Sequence, residues 1–220
     1  MSFRINYKNR LWIGGAAALL LMVPAIADDL AGMKAFKSGD YKTAFKEWKP
    51  LADSGDANAQ CNLGIMFQKG LWVDKDPGEA FRLFQVSASK GNAQAQYQLA
   101  QMYAKGWGVP QNYTSALMWT QKSAAAGDPD GENRMGWLYD EGYGVQKDAK
   151  QAAYFYKLAA GKGNADAQFS LGLAYEKGSG VRKDDAEAAK WLKLAVKQGN
   201  TKAQAELDAM QQKEQLATKK

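Results

Sequence analysis

Residues 93–127 read AQAQYQLAQMYAKGWGVPQNYTSALMWTQKSAAAG and form one unit of a repeat. The unit has two stretches with apolar residues at helical spacing, and between them lies the helix-breaking run Gly106-Trp107-Gly108-Val109-Pro110. Marker residues recur at a constant step of 36 positions along the chain. They are Gly55, Gly91, Gly127, Gly163 and Gly199; Val73, Val109, Val145 and Val181; and Ala44, Ala80, Ala116, Ala152 and Ala188. A fixed period of this size predicts stacked helical hairpins.

The second helix of each unit is predicted to begin after a residue whose side chain can cap a helix N-terminus. Such side chains accept a hydrogen bond from the backbone N–H groups that have no partner inside the helix. Pro77 follows Asp76 at the first helical position. Proline has no backbone N–H, but the N–H at this position makes no hydrogen bond inside the helix, so its absence costs nothing. The predicted caps are Asp40, Asp76, Asn112, Asp148 and Asp184.

The consensus of these units resembles the Sel-one-like repeat, which is related to the tetratricopeptide repeats. The residues that carry the resemblance are Ala167-Gln168, Leu171-Gly172, Tyr175, Gly178, Gly180-Val181, Asp184, Ala188 and Trp191. The resemblance implies an all-α, right-handed solenoid of antiparallel helix pairs that binds other proteins. Two units depart from it. The turn Gly70-Leu71-Trp72-Val73 lacks the second glycine, so we expect a different turn there, and Gly131-Glu132 replaces Ala-Gln.

The repeats divide the chain into a leader, an entry pair, four units and a cap. The predicted ranges are a signal peptide at 1–27, an entry helix pair at 28–55, Sel-one-like repeats at 56–91, 92–127, 128–163 and 164–200, and a capping helix with a basic tail at 201–220.

The leader has the three parts of a secretory signal. Cations at Arg4, Lys8 and Arg10 precede the apolar stretch 11–23, and Ala25-Ile26-Ala27 forms a small-x-small cleavage site. We therefore predict a periplasmic or secreted protein with no stable membrane insertion after cleavage. An uncleaved membrane anchor is the alternative.

Composition excludes most chemistry. The chain has no histidine and one cysteine, Cys61, which removes histidine-based triads and most zinc sites. The net charge of +6 falls to +3 without the leader, which does not indicate nucleic-acid binding. We predict no catalytic residue, metal or cofactor. Cys61 is expected to be half-buried, and an intermolecular disulfide stays open as an alternative.

A variable stripe at i, i+4 and i+7 along the first helices is the predicted binding surface. The resemblance places this stripe in a concave groove, although the same aromatic residues could simply pack between helices. The candidate partner-binding residues are Ile65, Tyr97, Gln101, Asn133, Arg134, Trp137, Phe169 and Leu173.

These features predict a non-catalytic interaction scaffold for a protein partner: a sensor ectodomain, an envelope assembly protein or a host protein. The alternative is a peptidoglycan-binding or weakly β-lactam-hydrolysing protein, as proposed for cysteine-rich relatives. The run Ser87-Ala88-Ser89-Lys90 matches the S-x-x-K motif of penicillin-recognising enzymes, without the accompanying motifs.

The leader generates a first prediction. If the signal is cleaved after Ala27, the protein recovered from the periplasm should begin at Asp28. Intact-mass spectrometry measures this directly. Recovery of the full-length chain in the membrane fraction would contradict cleavage and indicate the anchor.

Overall fold

The structure, a computed structural model, describes residues 30–218, with side chains up to residue 213. The predicted signal peptide lies outside the described residues. Every regular element within 30–218 is an α-helix, and eleven helices follow one another along this range. They are α1 (30–37), α2 (Tyr41–Asp53), α3 (Ala57–Lys69), α4 (Pro77–Ser89), α5 (Ala93–Lys105), α6 (Tyr113–Ala125), α7 (Pro129–Glu141), α8 (Ala149–Gly161), α9 (Ala165–Lys177), α10 (Asp185–Lys197) and α11 (Thr201–Thr218).

Each helix packs mainly on the helices before and after it, which makes an all-α solenoid and confirms the predicted fold class. Each 36-residue unit contributes one pair, from α3 with α4 to α9 with α10. The pair α1 and α2 precedes the repeats, and α11 covers the last pair. None of the helices in residues 30–218 is both long and apolar enough to cross a bilayer.

The turn inside each unit is closed by backbone hydrogen bonds. In the second unit Gly106 takes the left-handed conformation after α5, and the N–H groups of Gly106 and Trp107 both donate to the carbonyl of Met102. Asn112 then caps α6 with its side chain, while its own N–H donates to the carbonyl of Tyr103. Asp40, Asp76, Asp148 and Asp184 cap their helices in the same way, so the predicted caps are confirmed.

Trp72 corrects one expectation. We expected a different turn in the first unit because it lacks the second glycine. Instead Trp72 adopts φ +64°, close to the +70° of Gly108 and the +71° of Gly144. A left-handed residue with a side chain costs roughly 1–2 kcal/mol. The Trp72 ring packs on Phe45 at 5.0 Å between ring centroids, a contact that offsets part of this cost.

At the crossing of the two helices of a pair, a glycine on the first helix faces a large side chain on the second. A Cβ atom added to Gly64 would lie 2.7 Å from the Phe84 ring, and one on Gly136 would lie 2.6 Å from the Tyr156 ring. Gly172 and Leu192 repeat the contact at 2.7 Å, and Gly32 and Trp48 repeat it in the entry pair. The second unit is the exception: its equivalent positions hold Ala100 and Thr120.

The other departure from the repeat is Glu132, at the start of α7. Its counterparts Gln60, Gln96 and Gln168 donate to a carbonyl eight residues earlier, at 3.0–3.2 Å. A carboxylate cannot donate such a bond, and buried Glu132 instead accepts one from Lys162 at 2.6 Å. The substitution therefore replaces a bond inside one junction by an ion pair to the end of the next helix.

The helix crossing generates a stability prediction. Gly136→Ala should lower the free energy of unfolding by ~1–3 kcal/mol, because the new Cβ collides with the Tyr156 ring. The matched control is Gly161→Ala, at the end of α8, where an added Cβ meets nothing within 4 Å. There alanine should stabilise the protein by up to about 1 kcal/mol, since it orders a helix better than glycine. Urea denaturation of both variants tests the pair, and equal effects would contradict the crossing contact.

Candidate functional site

A groove of about 770 Å³ lies between α5, α6 and α7. The first helices of two successive units form its sides, and the second helix of the earlier unit forms its floor. Its lining residues are Tyr97, Ala100, Gln101, Ala104 and Lys105 from α5; Tyr113, Ala116, Leu117 and Thr120 from α6; Arg134, Trp137 and Leu138 from α7; and Tyr143 and Gly144 from the turn after α7.

The floor of the groove results from the exceptional helix crossing. Ala100, Ala116 and Thr120 are small, whereas the positions equivalent to Thr120 in the other units hold Phe84, Tyr156 and Leu192. The hydroxyl of Thr120 donates to the carbonyl of Ala116 at 2.8 Å, so this donor is satisfied within α6 and needs no partner on a neighbouring helix. The second unit thus leaves unfilled a space that the others fill with their own side chains.

Trp137 forms the main aromatic wall. The Arg134 guanidinium lies 4.0 Å from the centre of its ring, and the Tyr143 ring packs on it at 5.0 Å and 35°. Trp137 also contacts the core cluster that contains Met135 and Leu138. It is half-buried, so the ring is held in place by its neighbours while it still faces the groove.

The charge lining the groove is positive. Its ionisable residues are Lys105, Arg134 and three tyrosines, and it has no carboxylate among its lining residues. Burial lowers the pKa of Arg134 and raises the pKa of Tyr97. Burial destabilises the charged form of the Arg134 guanidinium, because the group is only partly solvated.

The predicted binding residues separate into two groups. Tyr97, Gln101, Arg134 and Trp137 lie together in the groove. The other four do not line it. Ile65 packs against the core cluster around Phe84, and Phe169 packs against the cluster around Leu192. Asn133 on α7 and Leu173 on α9 are half-buried outside the groove.

Sequence reasoning missed several groove residues, among them Lys105, Tyr113, Thr120 and Tyr143. One signal was present. Thr120 interrupts a series of large residues at a position that otherwise keeps the 36-residue step. Thr120 indicates a space at the helix crossing only when its facing residue, Ala100, is compared with the glycines that face large side chains in the other pairs.

Cys61 is buried at 1 % exposure, not half-buried as expected. Its sulfur lies 3.7 Å from the side-chain oxygen of Gln94, and burial raises the pKa of the thiol to about 12. A thiol in this position is neither ionised at neutral pH nor accessible to another chain, which argues against an intermolecular disulfide.

Ser87, the serine of the S-x-x-K match, is fully buried, and its hydroxyl donates to the carbonyl of Ala57 at 2.7 Å. Lys90 donates to the carbonyl of Gly55, so both residues tie the end of α4 to the start of α3. In residues 30–213 no three His, Cys, Asp or Glu side chains are grouped closely enough to hold a metal ion.

Solved structures resemble this chain. A Sel1 repeat protein from Oxalobacter formigenes is 34% identical with a TM-score of 0.70, over 76% of this chain and 49% of that one. A protective antigen with an SLR fold, present in uropathogenic Escherichia coli strains, is 29% identical with a TM-score of 0.68, over 83% of this chain and 40% of that one. An immunity protein from Pseudomonas aeruginosa is 25% identical with a TM-score of 0.53, over 73% of this chain and 59% of that one.

The matched part of this chain therefore spans about half the length of the first of these proteins and less of the second. No curated protein matches the chain. The family model of the Sel1 repeat matches four consecutive segments, at residues 57–92, 93–128, 129–164 and 165–200. With four adjoining repeats over most of its length, the chain belongs to the Sel1 repeat family.

Proposed function

We propose that this protein is an exported, non-catalytic scaffold that binds a segment of a partner protein in the groove between α5, α6 and α7. Sel1 repeats mediate protein–protein interactions. The single observation that carries the proposal is Trp137, which packs against Arg134 and Tyr143 at the side of an unfilled groove.

The residue types in the groove support a protein ligand. Tryptophan, tyrosine and arginine dominate the energetic centres of protein interfaces, and this groove has one tryptophan, three tyrosines and one arginine. Trp137 loses little freedom on binding because its ring already packs against Arg134 and Tyr143. The half-buried ring can therefore act as an anchor without first becoming ordered.

The proposal of export is based on the predicted leader. An exported protein would meet its partner among proteins of the periplasm, the envelope or a host. A sensor ectodomain, an envelope assembly protein and a host protein all satisfy this condition. The cell-wall hydrolase alternative has no support from Ser87, because its hydroxyl is buried and donates to the backbone.

The proposal predicts a loss of binding in Trp137→Ala. A partner captured from envelope extract on the immobilised mature chain should bind this variant at least about tenfold more weakly, since truncating an interface anchor typically costs ~2 kcal/mol or more. Calorimetry with the purified partner measures the loss.

Trp119→Ala is the matched control. Trp119 is also half-buried, packs against a core cluster and has a cation over its ring, Lys122 at 4.3 Å, but it lies outside the groove. The Trp119→Ala variant should bind the partner with wild-type affinity, while its free energy of unfolding should fall by about as much as that of Trp137→Ala. Equal loss of binding in both variants would contradict the groove, and turnover of a chromogenic β-lactam that Ser87→Ala abolishes would favour the hydrolase instead.

A further inference from the structure

Within residues 30–213, the two cations of the groove have no acidic partner. Among residues 30–213, neither Arg134 nor Lys105 has a carboxylate oxygen within 4.0 Å. Lys105 reaches only the side-chain oxygen of Gln101 at 3.4 Å and the face of Trp107 at 5.8 Å. Arg134 has the Trp137 ring as its neighbour, and a ring gives a guanidinium much weaker compensation than a carboxylate.

The acids nearest along α7 are engaged elsewhere. Asp130, one turn before Arg134, accepts a hydrogen bond from the side chain of Asn164 at 2.7 Å. Glu132 is buried against Lys162 at 2.6 Å. Both carboxylates therefore belong to the junction with the next unit, and neither lines the groove. Asp130 still acts at the edge of the groove, where it adds to the effect of burial in raising the pKa of Tyr97.

A half-buried guanidinium without a counter-charge favours an anionic ligand. Its hydration is already partly lost, as the lowered pKa of Arg134 indicates, so a carboxylate that approaches it displaces little further water. Apart from the polar side chains of Gln101 and Thr120, the rest of the groove is apolar or aromatic, with small residues at its floor. A ligand that fits both features needs an apolar side chain close to a carboxylate.

We propose that the groove recognises an acidic peptide segment, in which an apolar or aromatic side chain enters above Ala100 and Thr120 while an adjacent carboxylate pairs with Arg134 and a second one reaches Lys105. The inference rests on the proposed function and names the class of partner segment. The inserted side chain takes the role that Phe84, Tyr156 and Leu192 have in the other units.

A library of random dodecapeptides displayed on phage tests this inference, with the purified mature chain as bait. Peptides selected by the wild type should be enriched in Asp or Glu within two positions of Phe, Tyr, Trp, Leu or Met. The bait Arg134→Met/Lys105→Met removes both charges and keeps side chains of similar length, so it should lose the acidic enrichment and retain the apolar one.

The matched control bait is Arg182→Met/Lys197→Met, which makes the same change in net charge at two exposed positions outside the groove. It should select the same acidic peptides as the wild type. A synthetic copy of the most enriched peptide should bind the wild type, by fluorescence anisotropy, at least about tenfold more tightly than its glutamine analogue, and the difference should shrink at high salt.

Selection of neutral or basic peptides, or acidic enrichment that persists in Arg134→Met/Lys105→Met, would overturn the inference. So would the absence of any selected peptide. Neutral apolar peptides that Trp137→Ala fails to bind would leave the groove as a protein-binding site and reject only its preference for acid. Peptides that bind Trp137→Ala and wild type equally would reject the groove itself.

Discussion

The close contact between a glycine on the first helix and a large side chain on the second is the constraint shared by every described helix pair except α5 with α6. Gly64 with Phe84, Gly136 with Tyr156 and Gly172 with Leu192 bring the two helices together at one point. The side chain fills the volume that a Cβ would occupy, so backbone and ring pack at interior density. The interval of 36 residues places the helix crossing at the same position in every unit, including the second, where Ala100 and Thr120 replace the glycine and the large side chain.

Because each unit contacts mainly its neighbours, a change at one crossing has local consequences. The second unit keeps the turn, the caps and the junctions of the others, but its crossing holds Ala100 and Thr120. The backbone therefore follows the common path while the interior lacks a large side chain. The space opens between α5 and α7, beside Trp137, and becomes the groove.

Periodicity was sufficient to predict the helix pairs and the caps, since both depend on residues near in sequence. It also selected four residues that lie together in the groove, Tyr97, Gln101, Arg134 and Trp137, whose role in binding stays a prediction. It was wrong where the outcome depends on contacts between units: Cys61 is fully buried, and Trp72 adopts the left-handed turn of its glycine counterparts. Ile65 and Phe169 pack against core clusters, which is the alternative that the sequence left open. Thr120 was overlooked because its small side chain shows a gap only when it is compared with Phe84, Tyr156 and Leu192 at the equivalent positions and with the residue that it faces, Ala100.

The most direct test rebuilds the common crossing in the second unit. In Thr120→Tyr the ring should collide with the Cβ of Ala100 and lower the free energy of unfolding by ~1–3 kcal/mol. In Ala100→Gly/Thr120→Tyr the stability should return at least to that of the wild type, and the groove-binding peptide should no longer bind because the protein's own ring occupies its place. A double variant that is no more stable than Thr120→Tyr, or that still binds the peptide with wild-type affinity, would contradict this account of the groove.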